Sequence, residues 1–256
     1  MPRTFEILCE IEPATRPDLK HVRHQIGVLS PVANAFLIPD NHIGRSTVSS
    51  IAVAHEVQLM GGRSIACINA RDRNVLGFHR DLLTATAYGV NEFLFVYGDR
   101  PETGARSDDL TVRSMITEAR RFAQHPDVGE GFRIGVASGL RSIPTWKHEA
   151  DFLLTQVSFS ATDLIRWRTD HDFAGPVFAG VMVLPSVSMA RKLSAEVPQL
   201  AVPELIMRRL DMDRDAGVAI ACDLITQLRE SEAFDGVHLI PVNRYRQMAG
   251  RLESMF

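Results

Sequence analysis

The chain of 256 residues is long enough to bury one sizeable core, and it suits either a single α/β barrel or two smaller domains. Its 28 basic and 31 acidic residues give a formal net charge of -3, so no field strong enough to hold nucleic acid or an anionic membrane is implied. A small-molecule partner is therefore expected.

The cysteine pattern bears on metal binding and on compartment. Cys9, Cys67 and Cys222 lie far apart, and none forms the close pair that a structural zinc site uses. An odd cysteine count without a secretory signal favours a reducing cytoplasm. The longest apolar runs are far too short to span a bilayer, so the sequence predicts a soluble cytoplasmic protein.

Short apolar runs alternate with longer amphipathic segments, which is typical of repeated strand and helix units. The predicted strands cover residues 5–11, 35–38, 64–68, 93–96, 133–137, 152–156, 177–183 and 236–240. The predicted helices cover residues 18–29, 48–61, 75–88, 109–124, 187–196, 203–210 and 213–228, with a last one beginning at 243. Ser46 or Thr47 is expected to cap the second helix. This alternation predicts one α/β domain over residues 1–256, a (β/α)8 TIM barrel, with an open doubly wound sheet as the alternative.

The doubly wound alternative lacks its usual nucleotide motif. No G-x-G-x-x-G follows the first strand, which ends in Glu10-Ile11-Glu12-Pro13, and no G-x-x-x-x-G-K-[ST] loop occurs. The seventh and eighth strands also lack the glycine-rich endings that a barrel phosphate site uses. A phosphorylated sugar is therefore not expected as the substrate.

Polar residues stand where the predicted strands end, which is where a barrel gathers its catalytic groups. The set comprises Glu10, Glu12, Asp40, Asn41, Asn69, Asp99, Gln156 and Asn243. Several have simple alternatives: Glu12 can be solvated, Asp40-Asn41 can form an Asx-turn, and Asp72 and Asn74 can cap the third helix.

Glu10 and Asp99 differ from the rest of this set because they follow apolar runs directly. A barrel would turn both side chains inward over the pocket, and burial near a second carboxylate would raise one pKa and leave a usable general acid. Glu56 lies on the second helix, where pairing with an arginine is the simpler expectation. No histidine or cysteine set has metal-ligand spacing, and no G-x-S-x-G nucleophile motif occurs, so no metal site is predicted.

Five segments resemble one known family. They are Cys9-Glu10-Ile11-Glu12-Pro13, Pro39-Asp40-Asn41, the run from Asn69 to Asn74, Gly98-Asp99-Arg100-Pro101 and Thr155-Gln156. Together, in this order on these strands, they resemble the strand endings of the methylenetetrahydrofolate reductases, including the reductase domains fused to methionine synthase.

The resemblance implies a (β/α)8 barrel that reduces 5,10-methylenetetrahydrofolate, or a related methylene-pterin, to the 5-methyl form. Glu10 matches the general acid that opens the methylene bridge. Asp99 matches the carboxylate that stabilises the resulting 5-iminium cation. Gln156 matches the side chain that orients the folate, and Asn41 and Asn69 stand in segments expected to bind substrate.

The residues that hold flavin in this family are replaced. Flavin-dependent members carry an arginine, a histidine and an aromatic run at positions that correspond to Tyr97, Cys67 and the segment 139–141. Since the pterin residues remain, we predict that hydride passes directly from NADH or NADPH, with no bound FAD.

Three alternatives stay open at this point. The first is an FAD-dependent reductase of the same family, with a site rebuilt from residues such as Trp146, Lys147 or Arg71. The second is a barrel reductase of another pterin or of a deazaflavin system. The third is a non-catalytic barrel that only binds folate.

Overall fold

The structure is a computed structural model, and it describes residues 4–126, 128, 131–197, 200–213 and 215–255. Eight parallel strands pair in chain order, and the eighth pairs with the first, so the sheet closes into a barrel. The strands are β1 (Glu6–Glu10), β2 (Ala35–Ile38), β3 (Ser64–Asn69), β4 (Glu92–Val96), β5 (Arg133–Ser138), β6 (Phe152–Val157), β7 (Val177–Met182) and β8 (Gly236–Ile240). The predicted (β/α)8 barrel is confirmed.

Helices surround the barrel and connect its strands. They are α1 (Lys20–Leu29), α2 (Ser50–Leu59), α3 (Val75–Ala87), α4 (Val112–Phe122), α5 (Ala161–Asp170), α6 (Val187–Glu196), α7 (Glu204–Met212), α8 (Ala216–Glu230) and α9 (Tyr245–Glu253). Among the helices that the structure describes, none combines the length and apolarity that a membrane crossing requires.

Alternation along the strands divides the buried residues into two clusters. One fills the barrel interior and includes Leu8, Leu37, Cys67, Leu94, Leu154 and Phe178. The other lies between the strands and the helices. Because side chains on a strand alternate between faces, Glu10 and Gln156 stand two residues beyond the interior residues Leu8 and Leu154 and share their side.

The second helix begins later than the sequence indicates. Thr47 caps no helix, because it exchanges two hydrogen bonds with Asn41: its N–H donates to Oδ1 at 3.1 Å, and its Oγ1 accepts from the Asn41 N–H at 3.3 Å. Helix α2 therefore begins at Ser50, and the predicted cap at Ser46 or Thr47 is wrong. Its end is as predicted, since Gly61 adopts φ +84° after the last turn.

One helix was not singled out from the sequence. Helix α5 lies between β6 and β7, and the Ser160 side chain caps it by accepting from the Asp163 N–H. Its buried residues Ala161, Leu164 and Trp167 recur every third position, so one stripe faces the barrel. At the chain's end, α9 begins at Tyr245 after a short 3-10 turn that contains Asn243.

Candidate functional site

The carboxyl ends of β2 and β3 carry a dense polar network. Asp40 Oδ2 accepts from the Asn69 N–H at 3.0 Å, from Asn69 Nδ2 at 2.9 Å and from Arg73 Nη1 at 2.7 Å. Asp72 Oδ2 accepts from Asn69 Nδ2 and from Asn41 Nδ2. Burial alone would lower the pKa of Arg73, but attraction and hydrogen bonding to Asp40 outweigh it and raise that pKa. Hydrogen bonds and ion pairs therefore join the ends of β2 and β3, which form this part of the barrel's rim.

The side-chain amide groups of Asn41 and Asn69 form their hydrogen bonds within this network. Asn69 Oδ1 accepts from the Asp72 N–H at 3.0 Å, and Asn41 Oδ1 accepts from the Thr47 N–H. Asn69 is only 1% exposed. Asn41 and Asn69, two of the three residues predicted to bind substrate, therefore hold the ends of β2 and β3 in place.

Glu10 lies at the end of β1 and turns inward, as the sequence predicts. Its side chain is 16% exposed, and Oε2 lies 3.1 Å from Nε2 of His238. His238 is inward-facing because it stands in register with Leu8 on the adjacent strand. The pKa of the Cys67 thiol is raised well above its usual range, mainly by burial and further by the negative charges of Glu10 and Asp40.

The ends of β4 to β8 enclose a pocket of about 740 Å³. Its described lining is Leu94–Tyr97, Thr111–Arg113, Ala137–Gly139, Trp146, Lys147, Leu154–Val157, Met182, Leu200, His238 and Ile240. Among these described lining residues there is no carboxylate, whereas Arg113 and Lys147 are cations. The pocket therefore suits a ligand with an apolar ring system and a negative charge.

Gln156 lines this pocket, and its side chain is exposed to it. The strand alternation that places Leu154 in the barrel interior also points Gln156 inward at the strand end. Glu10 lies beside the pocket through its contact with His238, which is a lining residue. The sequence thus brings Glu10 and Gln156 to the same face of the barrel.

Lys147 follows β5 in a short 3-10 turn and reaches back to that strand. Its Nζ donates to the Ala137 carbonyl at 2.7 Å and to Ser138 Oγ at 3.3 Å. Desolvation by burial lowers the pKa of Lys147. Among the described residues no carboxylate pairs with this ammonium, so its charge is available to a ligand in the pocket.

Asp99 does not turn inward over the pocket as expected. Its side chain is exposed, it does not line the pocket, and Oδ2 accepts from the Ile43 N–H at 2.9 Å. The reason is local: Gly98 adopts φ +89° and swings the chain outward, and the loop after β2 supplies the N–H that holds the carboxylate. The second carboxylate oxygen has no hydrogen-bond partner in the described part of the chain.

The positions where flavin-dependent relatives bind their cofactor have other contacts in this chain. The Tyr97 ring lies 4.4 Å from the Arg71 guanidinium and 5.3 Å from that of Arg106. Cys67 is 4% exposed inside the barrel. In the segment after β5, the Arg141 carbonyl accepts from Trp167 Nε1 at 2.8 Å. These side chains support the barrel and its rim.

The simple roles expected of Glu56, Glu12 and Asn74 are confirmed, whereas Asp72 accepts hydrogen bonds from Asn41 and Asn69 and does not cap α3. Glu56 Oε2 pairs with Arg23 Nε at 2.8 Å, and the hydrogen bond from Arg23 lowers the Glu56 pKa. The exposed Glu12 faces His21 at 3.6 Å, and Asn74 caps α3 by accepting from the Gly77 N–H. Asn243 is exposed on its turn.

His238 is the site residue that the sequence reasoning missed. It interrupts the apolar strand Gly236–Ile240 as a single polar residue that is 8% exposed. The sequence did carry a signal for this site residue, namely a polar residue at an inward-facing position of an otherwise apolar strand.

Comparison with known proteins gives a family match and several similar structures. The model described as methylenetetrahydrofolate reductase matches residues 146–254, which is less than half of the chain. An uncharacterized protein from Clostridium thermocellum, which binds two copies of 5-methyl-5,6,7,8-tetrahydrofolic acid, is 12% identical. That similarity covers 100% of this chain and 97% of that chain, with a TM-score of 0.67. No curated protein matches the sequence.

Two further structures show how widely this fold is used. The EDTA monooxygenase of Chelativorans sp. BNC1 is 10% identical over 99% of this chain and 94% of its own, with a TM-score of 0.55. The spore cortex-lytic enzyme of Bacillus cereus is 10% identical over 98% of this chain and 75% of its own, with a TM-score of 0.57. At such identities the likeness shows the fold alone. The resemblance to the methylenetetrahydrofolate reductases is confirmed by the family model over residues 146–254, the part of the chain that carries Gln156 and His238.

Proposed function

We propose that this protein reduces 5,10-methylenetetrahydrofolate, or a related methylene-pterin, to its 5-methyl form with hydride from NADH or NADPH and without a bound flavin. The observation that carries the proposal is Glu10, a largely buried carboxyl group that turns inward beside a pocket containing Gln156. The family match supports a folate-related oxidoreductase. The Clostridium thermocellum neighbour, which binds a methyl-folate, supports a ligand of the same class.

Glu10 supplies the proton for the first step. Protonation of the bridge nitrogen lets the carbon–nitrogen bond break with its electron pair on that nitrogen, and the 5-iminium cation forms. Hydride from the dihydronicotinamide then adds to the iminium carbon, which gives the methyl group and the oxidised nucleotide. Gln156 faces the open pocket, where its amide can donate to and accept from the pterin edge.

Asp99 is assigned to the cation that forms after bridge opening. One of its oxygens is fixed by the Ile43 N–H, and the other is open to a ligand. Rotation of this exposed side chain toward the pocket would bring a negative charge to the iminium group. We assign Asn41 and Asn69 an indirect part in substrate binding, since their amides hold the neighbouring rim.

The pocket's chemistry supports a nucleotide as the hydride donor. Lys147 and Arg113 offer positive charge for a diphosphate, and Trp146 offers a ring for stacking. No carboxylate opposes them among the described lining residues. A dihydronicotinamide held there would lie at the same strand ends as the pterin, which direct transfer requires.

At the positions where flavin-dependent relatives bind FAD, this chain has residues of other types. The Tyr97 ring lies near two guanidinium groups, Cys67 lies inside the barrel, and the Arg141 carbonyl accepts a hydrogen bond from Trp167. A bound flavin needs donors for two phosphates and partners for its ribityl chain. These positions do not fit that role, and they support the flavin-free form of the reaction.

The test of the proposal is replacement of Glu10 by Gln, which keeps the shape of the side chain and removes its acidic proton. We expect kcat for methylenetetrahydrofolate reduction to fall by about 10² to 10⁴ with the fold intact. Glu12→Gln is the matched control, since Glu12 is two residues away and 57% exposed, and it should keep parental activity. Near-parental turnover by Glu10→Gln would exclude Glu10 as the acid.

A folate-binding barrel without catalysis is the second candidate, and the Clostridium thermocellum neighbour favours it. Such a protein would bind 5-methyltetrahydrofolate yet show no turnover of the methylene form with either nucleotide. Calorimetric binding beside the reductase assay separates the two functions.

A further inference from the structure

We infer that the acid of this site is a pair: His238 passes a proton to Glu10, and Glu10 passes a proton to the pterin. The inference rests on the proposed function and adds a residue to its chemistry. The observation behind it is the 3.1 Å contact between His238 Nε2 and Glu10 Oε2.

The fold fixes this contact from two adjacent strands. His238 stands in register with Leu8 on one side and with Gly180 on the other, so its ring faces the barrel interior. Glu10 is one inward position further along β1, directly toward the open end. The His238 and Glu10 side chains are 10% and 16% exposed, so both are largely shielded from water.

The charged surroundings leave Glu10 as the partner of His238. From β3, the Cys67 thiol lies near Glu10, and its raised pKa keeps it neutral. Lys147 and Arg113 line the same pocket from the turn after β5 and from α4. Strands β7 and β8 contribute no other titratable side chain.

The proton balance follows from the two groups. An imidazole takes up a proton near neutrality, whereas an isolated carboxyl group has lost its proton well below that pH. The pair carries one transferable proton, on Nε2 of the His238 imidazolium beside the Glu10 carboxylate. As the bridge nitrogen takes up a proton, His238 gives its Nε2–H proton to Glu10 and Glu10 passes one to that nitrogen, which leaves a neutral imidazole and a carboxylate. Water in the pocket reprotonates the imidazole once product has left. The hydride of the nucleotide and one solvent proton are consumed per turnover.

The pH dependence of kcat distinguishes this role from a purely structural one. His238→Gln keeps a hydrogen-bonding group of similar reach but cannot hold the proton. We expect kcat to fall little in acid solution, where solvent supplies the proton to Glu10 directly, and to fall by about tenfold or more near neutral pH, where the variant lacks the histidine that resupplies the proton. A misplaced Glu10 would instead lower kcat by one factor at every pH, and that result overturns the inference. An unchanged profile also overturns it.

The chain offers a matched control for this experiment. His21 faces Glu12 in a second histidine–glutamate pair, with both side chains 57% exposed and 3.6 Å between the charged atoms. His21→Gln should leave the profile unchanged. Added imidazole should restore part of the neutral-pH activity to His238→Ala, since the vacated space opens to the pocket.

A binding-free readout separates this inference from the proposed function. In histidine-labelled protein, the nitrogen signal of His238 Nε2 should move in Glu10→Gln and keep its position in Glu12→Gln, because only the first change alters the group that lies 3.1 Å from Nε2. That change in position without any reductase turnover would leave the pair standing and remove the proposed reaction. A His238 Nε2 signal at the same position in Glu10→Gln and in the parent would remove the pair.

Discussion

Replacement of Arg73 by Met tests whether the network beside the pocket stabilises the barrel. Arg73 Nη1 donates to Asp40 Oδ2 at 2.7 Å, and Nε donates to Asp81 Oδ2 at 2.9 Å. The three side chains are 14%, 6% and 15% exposed. Methionine fills much of the same volume but removes the one cation that two largely buried carboxylates share.

The expected cost follows from that burial. Removing one partner of a buried ion pair destabilises a protein by about 3–5 kcal/mol, because the remaining charge stays desolvated. Asp40 keeps the two hydrogen bonds from Asn69, and Asp81 keeps Arg80 at 3.1 Å, so the lower end of that range applies. For a chain of this length the loss corresponds to a fall in Tm of roughly 6–12 °C.

Arg80→Met is the matched control, because Arg80 contacts the same Asp81 with a side chain that is 75% exposed. An exposed pair contributes about 0–1 kcal/mol, so the control should hardly move Tm. Both variants are compared by thermal denaturation and urea titration. Equal shifts for the two would refute the reasoning, since burial would then not determine the cost.

Two predictions concern the site. Asp99→Asn should lower kcat more than it weakens substrate binding, because the cation forms only after bridge opening. The control is Asp108→Asn, at a residue that is 77% exposed in the same loop. A weaker affinity with unchanged kcat would make Asp99 a binding residue. Burial lowers the pKa of Lys147, so its charge is present below that pKa and is lost as pH rises through it, earlier than for an exposed lysine. Nucleotide affinity measured by fluorescence should therefore weaken early in the alkaline range and persist in Lys147→Arg, whereas equal pH dependence in both proteins would exclude Lys147 from the nucleotide site.

The barrel and its inward residues could be predicted because they follow from local pattern. Alternation of apolar runs with amphipathic segments indicates strand and helix units, and strand periodicity alone places Glu10 and Gln156 on the inner face. His238 followed the same rule but was not recognised, since a single histidine in an apolar run also fits ordinary packing.

The contacts of the rim could not be predicted because they join distant loops. Asp99 is turned outward by the conformation of Gly98 and held by the backbone of Ile43. Thr47 looks like a helix cap in sequence, yet its hydrogen bonds go to Asn41. Each of these outcomes depends on which loops the closed barrel brings together.

The central claim is direct hydride transfer from nucleotide to pterin, and one measurement on freshly purified protein tests it. A visible absorption spectrum is recorded, and the same sample is assayed with methylenetetrahydrofolate and NADH or NADPH without added flavin. We expect a colourless protein that forms 5-methyltetrahydrofolate and one oxidised nucleotide per product. A yellow protein that loses activity when stripped of its colour and regains it with FAD would exclude direct transfer.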